Sequence, residues 1–278
     1  MNRRSPARPP VDSRPAHGGR GRRAALAWLV LACATGARAD VLRVEEGVAR
    51  VPGGGATLYR EQHWIRSAAG RPLERLVLYR CADGTAFARK RVDYRGSALA
   101  PAFALDDRRT GYREGLRRDA DGPRVFVREG AHAPESTRRL DAAALVADAG
   151  FDEFIRLHWA GLVAGQRLPL AFAVPARLRS LPFSLQKLGS ATVAGEAAWV
   201  FRLRLDGLLG LVAPAIEVSY GQASRRLLRF EGLSNLRDDG GDRQLQARID
   251  FAAPARTGSE AEWKQATAWP LSACRIGQ

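Results

Sequence analysis

Apolar and polar residues alternate with a period of two along much of the chain after residue 40. The segment AWVFRLRL at 198–205 shows this most clearly, because every second position holds a large apolar residue. Clusters of turn-forming residues, such as PGGG at 52–55 and DDGGD at 238–242, separate these segments. Such a pattern is typical of antiparallel β-strands that bury one face and leave the other in water.

We predict a strand in each segment that combines strand-forming residues with flanking turn signals. These segments are 41–51, 56–67, 73–81, 85–95, 102–105, 111–116, 124–128, 168–174, 198–205, 216–220, 226–231 and 244–251. An apolar bend is predicted at 208–213, and the polar segment that follows residue 251 is predicted to be an extended tail.

A different period marks residues 150–165, from Gly150 to Gly165. Apolar residues recur there at helical spacing and would share one face of an α-helix, namely Phe151, Phe154, Ile155, Trp159 and Leu162. A second, short helix is predicted at 140–146. The predicted fold class is therefore mainly β, of the α+β type, with an antiparallel sheet and one or two helices.

The first 39 residues predict an export signal. An Arg-rich stretch at 3–23, an uncharged apolar run at 24–34 and the motif ARA at 37–39 follow in the order of a secretory signal peptide. The apolar run is about half of the roughly 20 residues that a transmembrane helix needs. We therefore expect cleavage after Ala39 and localisation in the periplasm.

The mature chain is then expected to be one β-rich domain at 40–278, with a C-terminal tail from about residue 252. Two alternatives stay open for the N-terminus. One is an uncleaved membrane anchor, and the other is a lipoprotein attached through Cys33, which lies in the lipobox-like sequence VLAC. Membrane contact is expected only if Cys33 is lipidated.

Removal of the signal changes the charge of the protein. The full chain has a formal net charge of +15, but residues 1–39 hold eight Arg and one Asp, so the remainder carries +8. No dense basic run and no nucleic-acid recognition motif occurs after the signal. We therefore predict no nucleic-acid partner.

Two cysteines remain after cleavage, Cys81 and Cys274. An exported protein enters a compartment that permits disulfides, and an even pair without metal-ligand neighbours favours one bridge. The sequence therefore predicts a disulfide between them, with two free thiols as the alternative.

The sequence carries no recognisable catalytic motif. His63, His132 and His158 lack the spacing of a metal site, and nucleophile elbows, phosphate loops and dinucleotide fingerprints are missing. No metal, cofactor or catalytic residue is therefore predicted. Three pairs of adjacent carboxylates are typical of turns and helix caps, with catalytic acids or calcium ligands as the alternative: Asp106 and Asp107, Asp152 and Glu153, and Asp238 and Asp239.

Large aromatic residues fall on the predicted strands and on the main helix. They either fill the core or line an apolar cavity between the sheet and the helix. The candidates for the cavity wall are Trp64, Phe87, Phe154, Trp159, Trp199 and Phe201.

The segments GFDEF at 150–154 and FEGLSNLRD at 230–238 resemble segments of uncharacterised proteobacterial exported proteins. The order of signal, meander, central helix and closing hairpins resembles the half-barrel of the periplasmic outer-membrane lipoprotein carrier superfamily. The resemblance implies a curved, unclosed antiparallel sheet, or half-barrel, wrapped around one or two helices, with an apolar concave face that handles acyl chains.

The leading hypothesis is a non-enzymatic periplasmic protein that binds or carries a hydrophobic acyl or lipid ligand. The first alternative is an envelope scaffold or protein-interaction module with an envelope protein as its partner. The second alternative is a hydrolase that uses a pair of carboxylates.

Overall fold

The computed structural model describes residues 41–141, 143–211 and 213–276. The predicted signal peptide at 1–39, its cleavage site after Ala39 and the alternative anchor Cys33 lie outside the described residues.

Strands account for most of the described chain, as the alternating pattern predicted. The strands are β1 (Val41–Arg50), β2 (Thr57–Ala68), β3 (Arg71–Arg80), β4 (Ala86–Asp93), β5 (Ala102–Asp107), β6 (Arg113–Asp119), β7 (Gly122–Arg128), β8 (Ser136–Arg139), β9 (Leu145–Val146), β10 (Leu168–Val174), β11 (Arg179–Val193), β12 (Glu196–Leu205), β13 (Ile216–Gly221), β14 (Leu227–Arg237), β15 (Gln244–Asp250) and β16 (Arg256–Thr257). The α-helices are α1 (Gly150–Leu157), α2 (Trp159–Val163) and α3 (Glu260–Ala268), and two 3₁₀ helices span Pro175–Arg177 and Leu208–Leu211.

All sixteen strands belong to one sheet. Its order runs from β8 through β7, β6, β5, β4, β3, β2 and β1 to β15, and then through β14, β13, β12, β11 and β10 to β9, while β16 pairs with β1. Every pairing is antiparallel except that of β9 with β10. The two edge strands, β8 and β9, are neighbours in sequence but do not pair within the described chain, so the curved sheet stays open. This confirms the predicted fold class.

The main helix lies where the sequence predicted it, but it is interrupted. His158 leaves helical geometry (φ −100°, ψ 14°) between α1 and α2, although its amide still donates to the Phe154 carbonyl. The apolar face of both helices packs against β10–β13, where Ile155, Leu162 and Phe201 are fully buried. Both helices therefore lie inside the curve of the sheet.

Three segments illustrate where the structure differs from the prediction. The prediction of a short helix at 140–146 is wrong. Val146 instead belongs to β9, where it is buried and pairs with Phe172 of β10. The longest strand, β11, had not been predicted, since its Pro and Gly residues (Pro182 and Gly189) interrupt the alternation. The C-terminal tail, expected to be extended, contains α3, which begins with a capping box between Ser259 and Glu262.

The C-terminal tail covers the outer face of β1–β4. Trp64, Leu76 and Leu78 point outward from the sheet and are nevertheless buried, because Trp263 and Trp269 of the tail pack over them. Further contacts fasten the tail, including the Arg66 guanidinium 4.4 Å from the Trp263 ring centroid. This part of the sheet thus has apolar packing on both faces.

The predicted disulfide is confirmed between Cys81, which follows β3, and Cys274 in the tail. The two cysteines are separated by 193 residues along the chain. Closing a loop of this length removes entropy from the unfolded chain that the chain-entropy model values at about 5 kcal/mol. The bridge therefore contributes to stability and holds the tail on the sheet.

We predict that the double substitution Cys81→Ser and Cys274→Ser lowers the free energy of unfolding by about 2–5 kcal/mol. Urea denaturation followed by tryptophan fluorescence measures this loss. Wild-type protein treated with a reductant serves as the control and should unfold at the same urea concentration as the variant. Equal stability of the variant and the oxidised wild type would contradict the role assigned to the bridge.

Candidate functional site

A cavity of about 980 Å³ lies between α1 and the inner face of the sheet. This volume is at the upper end of the roughly 300–1,000 Å³ that is typical of small-molecule sites. Its lining is divided into two chemically different regions, which we call the apolar wall and the polar floor.

The apolar wall comes from α1 and from inward-facing positions of β10–β14. The strand register aligns wall residues of neighbouring strands: Phe172 of β10 lies opposite Leu181 of β11, and Phe183 of β11 lies opposite Leu205 of β12. The wall consists of Phe151, Phe172, Leu181, Phe183, Leu203, Leu205, Ile216, Val218, Leu227, Phe230 and Leu233. Because several of these side chains are only half-buried, the wall offers uncovered apolar surface to a ligand.

The polar floor lies on the opposite half of the sheet and on the segment that enters α1. It consists of Glu61 and His63 from β2, Arg75 from β3, Lys90 from β4, Glu114 from β6, and Asp148 and Asp152 at the start of the helix. All seven residues line the same cavity. Charged side chains on the inner face of a sheet are costly unless they are paired, so their partners decide what the floor can do.

The register of the strands places the floor residues in rows. His63 lies opposite Val77, Val77 opposite Lys90, Lys90 opposite Leu105, and Leu105 opposite Glu114. Along this row, His63, Lys90 and Glu114 therefore lie on every second strand, and the strands that carry them are about 10 Å apart.

Two ion pairs join the sheet to the helix region. Lys90 Nζ lies 2.7 Å from Asp148 Oδ1, and Arg75 Nη2 lies 3.0 Å from Asp152 Oδ2. The Tyr220 hydroxyl of β13 donates to the other carboxylate oxygen of Asp152. Burial alone would raise the pKa of Asp152, but Arg75, Arg156 and the Tyr220 hydroxyl outweigh burial and lower it. Asp152 is therefore held as a carboxylate.

The remaining two acids are partnered by uncharged groups or by histidine. His63 Nε2 lies 2.8 Å from Glu61 Oε2. Glu114 accepts hydrogen bonds from the Tyr112 hydroxyl at 2.8 Å and from Asn235 Nδ2 at 2.6 Å. Burial raises the pKa of Glu114, and these two donors only partly oppose the increase.

Three buried polar atoms of the floor have no hydrogen-bond partner among the described residues. They are His63 Nδ1, Arg75 Nε and Asp148 Oδ2. Leaving a buried polar group unpaired costs about 1–3 kcal/mol, so a ligand that satisfied one of them would regain this energy. Asp148 also has a φ of 43°, a left-handed conformation that Asp and Asn tolerate better than most residues.

Exposed residues among the lining mark the entrance to the cavity. Arg177 and Arg179 flank the turn between β10 and β11, and Leu208 lies on the loop after β12 with 85% of its surface exposed. The residues of the polar floor are buried or half-buried, so we call the floor the inner end of the cavity, whereas this entrance combines exposed apolar and basic side chains.

The six aromatic candidates from the sequence lie around this cavity but not in its lining. Trp64 is on the outer face under the tail, whereas Phe87 is in the core beside Tyr59 and Tyr79. Whether either contacts a ligand stays a prediction.

The other four candidates pack where α1 and α2 meet β11–β13. Phe154, Trp159 and Phe201 are buried in one cluster, and the Trp199 ring packs under Lys187. Alternation correctly identified Phe201 and Leu203 as belonging to one face, but the helices fill the end of that face near Phe201. Leu203, two residues further along β12, is the first residue of this face that lines the cavity.

The sequence reasoning missed the polar floor, because it assigns charged residues on strands to the solvent face. Of the three carboxylate pairs it named, Asp152 alone lines the cavity. Asp107 and Asp239 instead meet at Arg109, and Asp106 pairs with Arg113.

No family model matches the chain, and no curated protein matches its sequence. Among solved structures, the fold is similar to the beta-barrel-like protein of the domain of unknown function DUF1849 from Brucella abortus, at 7% identity and a TM-score of 0.46, covering 78% of this chain and 98% of that one. It is also similar to MucB, at 13% identity and a TM-score of 0.27, covering 81% of this chain and 57% of that one.

A third similar structure is a candidate outer membrane lipoprotein-sorting protein domain from Vibrio parahaemolyticus, at 8% identity and a TM-score of 0.26, covering 82% of this chain and 88% of that one. Within the described ranges, no helix combines the length and the apolar character needed to span a membrane.

We predict that Asp152→Asn lowers the free energy of unfolding by about 3–5 kcal/mol at pH 7, because it leaves the buried Arg75 without a counter-charge. The native pKa of Asp152 is lowered, so its contribution is present above the unfolded value of about 3.9 and is lost as the pH falls through the native value. The difference from wild type should therefore shrink below about pH 4.

Urea denaturation of both proteins between pH 3 and pH 7 measures this difference. Glu217→Gln, which breaks an ion pair with Arg202 outside the cavity lining, is the matched control and should have a small effect at each pH. A difference for Asp152→Asn that stays constant over this pH range would contradict the assignment.

Proposed function

We propose that this protein is a non-enzymatic periplasmic protein that binds or carries a hydrophobic ligand of the acyl or lipid type. The apolar wall of the cavity is the observation that carries the proposal. Fully burying an aliphatic side chain is worth about 1.5–3 kcal/mol, and an alkyl chain on this wall would gain energy from the same effect.

The cavity is supported by interactions that hold its two sides apart. Asp152 is fixed to Arg75 of β3 and to Tyr220 of β13, so the first turn of α1 is tied to both halves of the sheet. The helix cannot move into the cavity without breaking buried charge-assisted contacts, which is unfavourable. This arrangement supports a preformed site over a core that merely packs loosely.

The disulfide supports the proposed compartment. Disulfides persist in oxidising environments such as the bacterial periplasm and are rare in the cytosol. The Cys81–Cys274 bridge therefore agrees with the export signal that the sequence predicts in residues 1–39.

The edge strand β8 bears on the alternative of an envelope scaffold. An exposed edge can bind a partner by adding a strand to the sheet. However, β8 has four residues, and two of them are the exposed Arg138 and Arg139. A short edge with charged side chains is how proteins discourage strand addition, so β8 favours the binding protein over the scaffold.

The proposal predicts that Leu181→Trp weakens ligand binding at least about tenfold, or about 1.4 kcal/mol, because the larger ring occupies the cavity. Leu188→Trp is the matched control: it lies on the same strand β11 but is 41% exposed and does not line the cavity. Its affinity should equal that of wild type. Titration with a fluorescent fatty acid, 11-(dansylamino)undecanoic acid, measures all three proteins.

Native mass spectrometry after gentle purification tests the proposal independently, and we expect co-purified amphiphiles. Protein that is reproducibly free of ligand and takes up no fluorescent fatty acid would contradict the proposed function. Equal affinities of the two Trp variants would place the ligand outside this cavity.

A further inference from the structure

The polar floor holds more acidic than basic side chains. Two of its four carboxylates, Asp148 and Asp152, pair with its two permanent cations, Lys90 and Arg75. Glu61 and Glu114 have no Lys or Arg partner among the described residues. The inner end of the cavity therefore has an excess of acidic groups.

Several of these acids exert an electrostatic effect on the same part of the cavity. The Tyr79 side chain lines the cavity, and its phenol pKa is raised by burial and further by Glu61, Asp148 and Glu114. The nearby cation Arg156, which also acts on Asp152, is engaged by Glu153 at 2.6 Å. A positive group at the inner end of the cavity would therefore be electrostatically favoured.

The floor also contains polar atoms that have no hydrogen-bond partner among the described residues. The Asp148 side chain is 2% exposed, its Oδ1 binds Lys90, and its Oδ2 has no partner. His63, with 9% of its side chain exposed, contacts Glu61 through Nε2 and has no partner for Nδ1. These two side chains, both in the cavity lining, thus retain unused hydrogen-bonding capacity. The third unpartnered atom, Arg75 Nε, belongs to a guanidinium that already binds Asp152.

We propose that the polar floor binds the head group of an amphiphile and that this head group is a hydrogen-bond-donating cation such as a primary ammonium. The inference rests on the proposed function for the alkyl chain, which lies on the apolar wall. The ammonium donates to Asp148 Oδ2 and lies near Glu61, where its charge offsets the excess of acids.

A carboxylate head group could accept from one unpartnered donor of the floor, Arg75 Nε, but could not bind Asp148 Oδ2. It would enter a region in which the cations Arg75 and Lys90 are already paired, and it would face Glu61 and Asp148 with a charge of the same sign. An anionic head would instead be directed to the entrance, where Arg177 and Arg179 are exposed. A preference for the amine therefore indicates that the head group binds at the polar floor, and a preference for the carboxylate indicates that it binds at the entrance.

The test compares three amphiphiles with the same alkyl chain: dodecylamine, dodecanoate and dodecanol. Each is titrated at pH 7, below its critical micelle concentration, against protein that has bound the uncharged fluorescent probe N-phenyl-1-naphthylamine. We expect dodecylamine to displace the probe at a concentration at least about tenfold lower than dodecanoate, which corresponds to about 1.4 kcal/mol.

Two variants test whether the preference for the amine arises at the polar floor. Asp148→Asn keeps the side-chain shape, and Asn also tolerates the left-handed backbone at this position. Glu61→Gln removes the second acid without breaking a Lys or Arg ion pair, so it remains informative if Asp148→Asn disturbs Lys90 and the fold. We expect either variant to reduce the amine preference at least about threefold, whereas Glu217→Gln, outside the cavity lining, should leave it unchanged.

Equal displacement by the amine and the carboxylate, or tighter binding of the carboxylate, would overturn the head-group inference and leave the proposed function standing. An amine preference that survives in both Asp148→Asn and Glu61→Gln would also overturn it. Failure of the probe and of all three amphiphiles to bind would instead overturn the proposed function itself.

Discussion

Helix α1 lies inside the curve of the sheet because Asp152 in its first turn contacts both halves of the sheet. Arg75 of β3 binds one oxygen of its carboxylate, and the Tyr220 hydroxyl of β13 binds the other. Strands β3 and β13 are separated by β2, β1, β15 and β14, so this contact reaches across the concave face. It fixes the helix at a set distance from each half and thereby defines the cavity between them.

This constraint also explains why the two regions of the cavity differ. On the side of β10–β13, the apolar faces of α1 and α2 pack directly on apolar side chains of the sheet. On the side of β2–β6, the sheet presents Lys90 and Glu114, which need partners and cannot be covered by aliphatic side chains. The inner face therefore changes from apolar to charged across the cavity, whose wall on β10–β14 is apolar and whose floor on β2–β6 is polar.

Alternation was sufficient to predict most strands, and helical periodicity was sufficient to place the main helix, because both depend on which face is apolar. The open curve of the sheet was expected from the resemblance to half-barrel proteins. Alternation failed at β11, where Pro182 and Gly189 interrupt the pattern, and α3 was missed although its Ser259–Glu262 capping box is visible in the sequence. The polar floor could not be predicted in this way. A charged residue on a strand is normally in water, and only the three-dimensional partners of Arg75 and Lys90 show that they face inward.

Photo-crosslinking with an alkyl amine that carries a diazirine at the end of its chain tests the central claim most directly. Mass spectrometry of the digested protein locates the attached label. If the chain lies on the apolar wall, labels should concentrate on lining residues of β10–β14 such as Phe172, Leu203 and Phe230. Labels concentrated on the outer face around Trp263, or spread evenly over the surface, would contradict a ligand site inside the sheet.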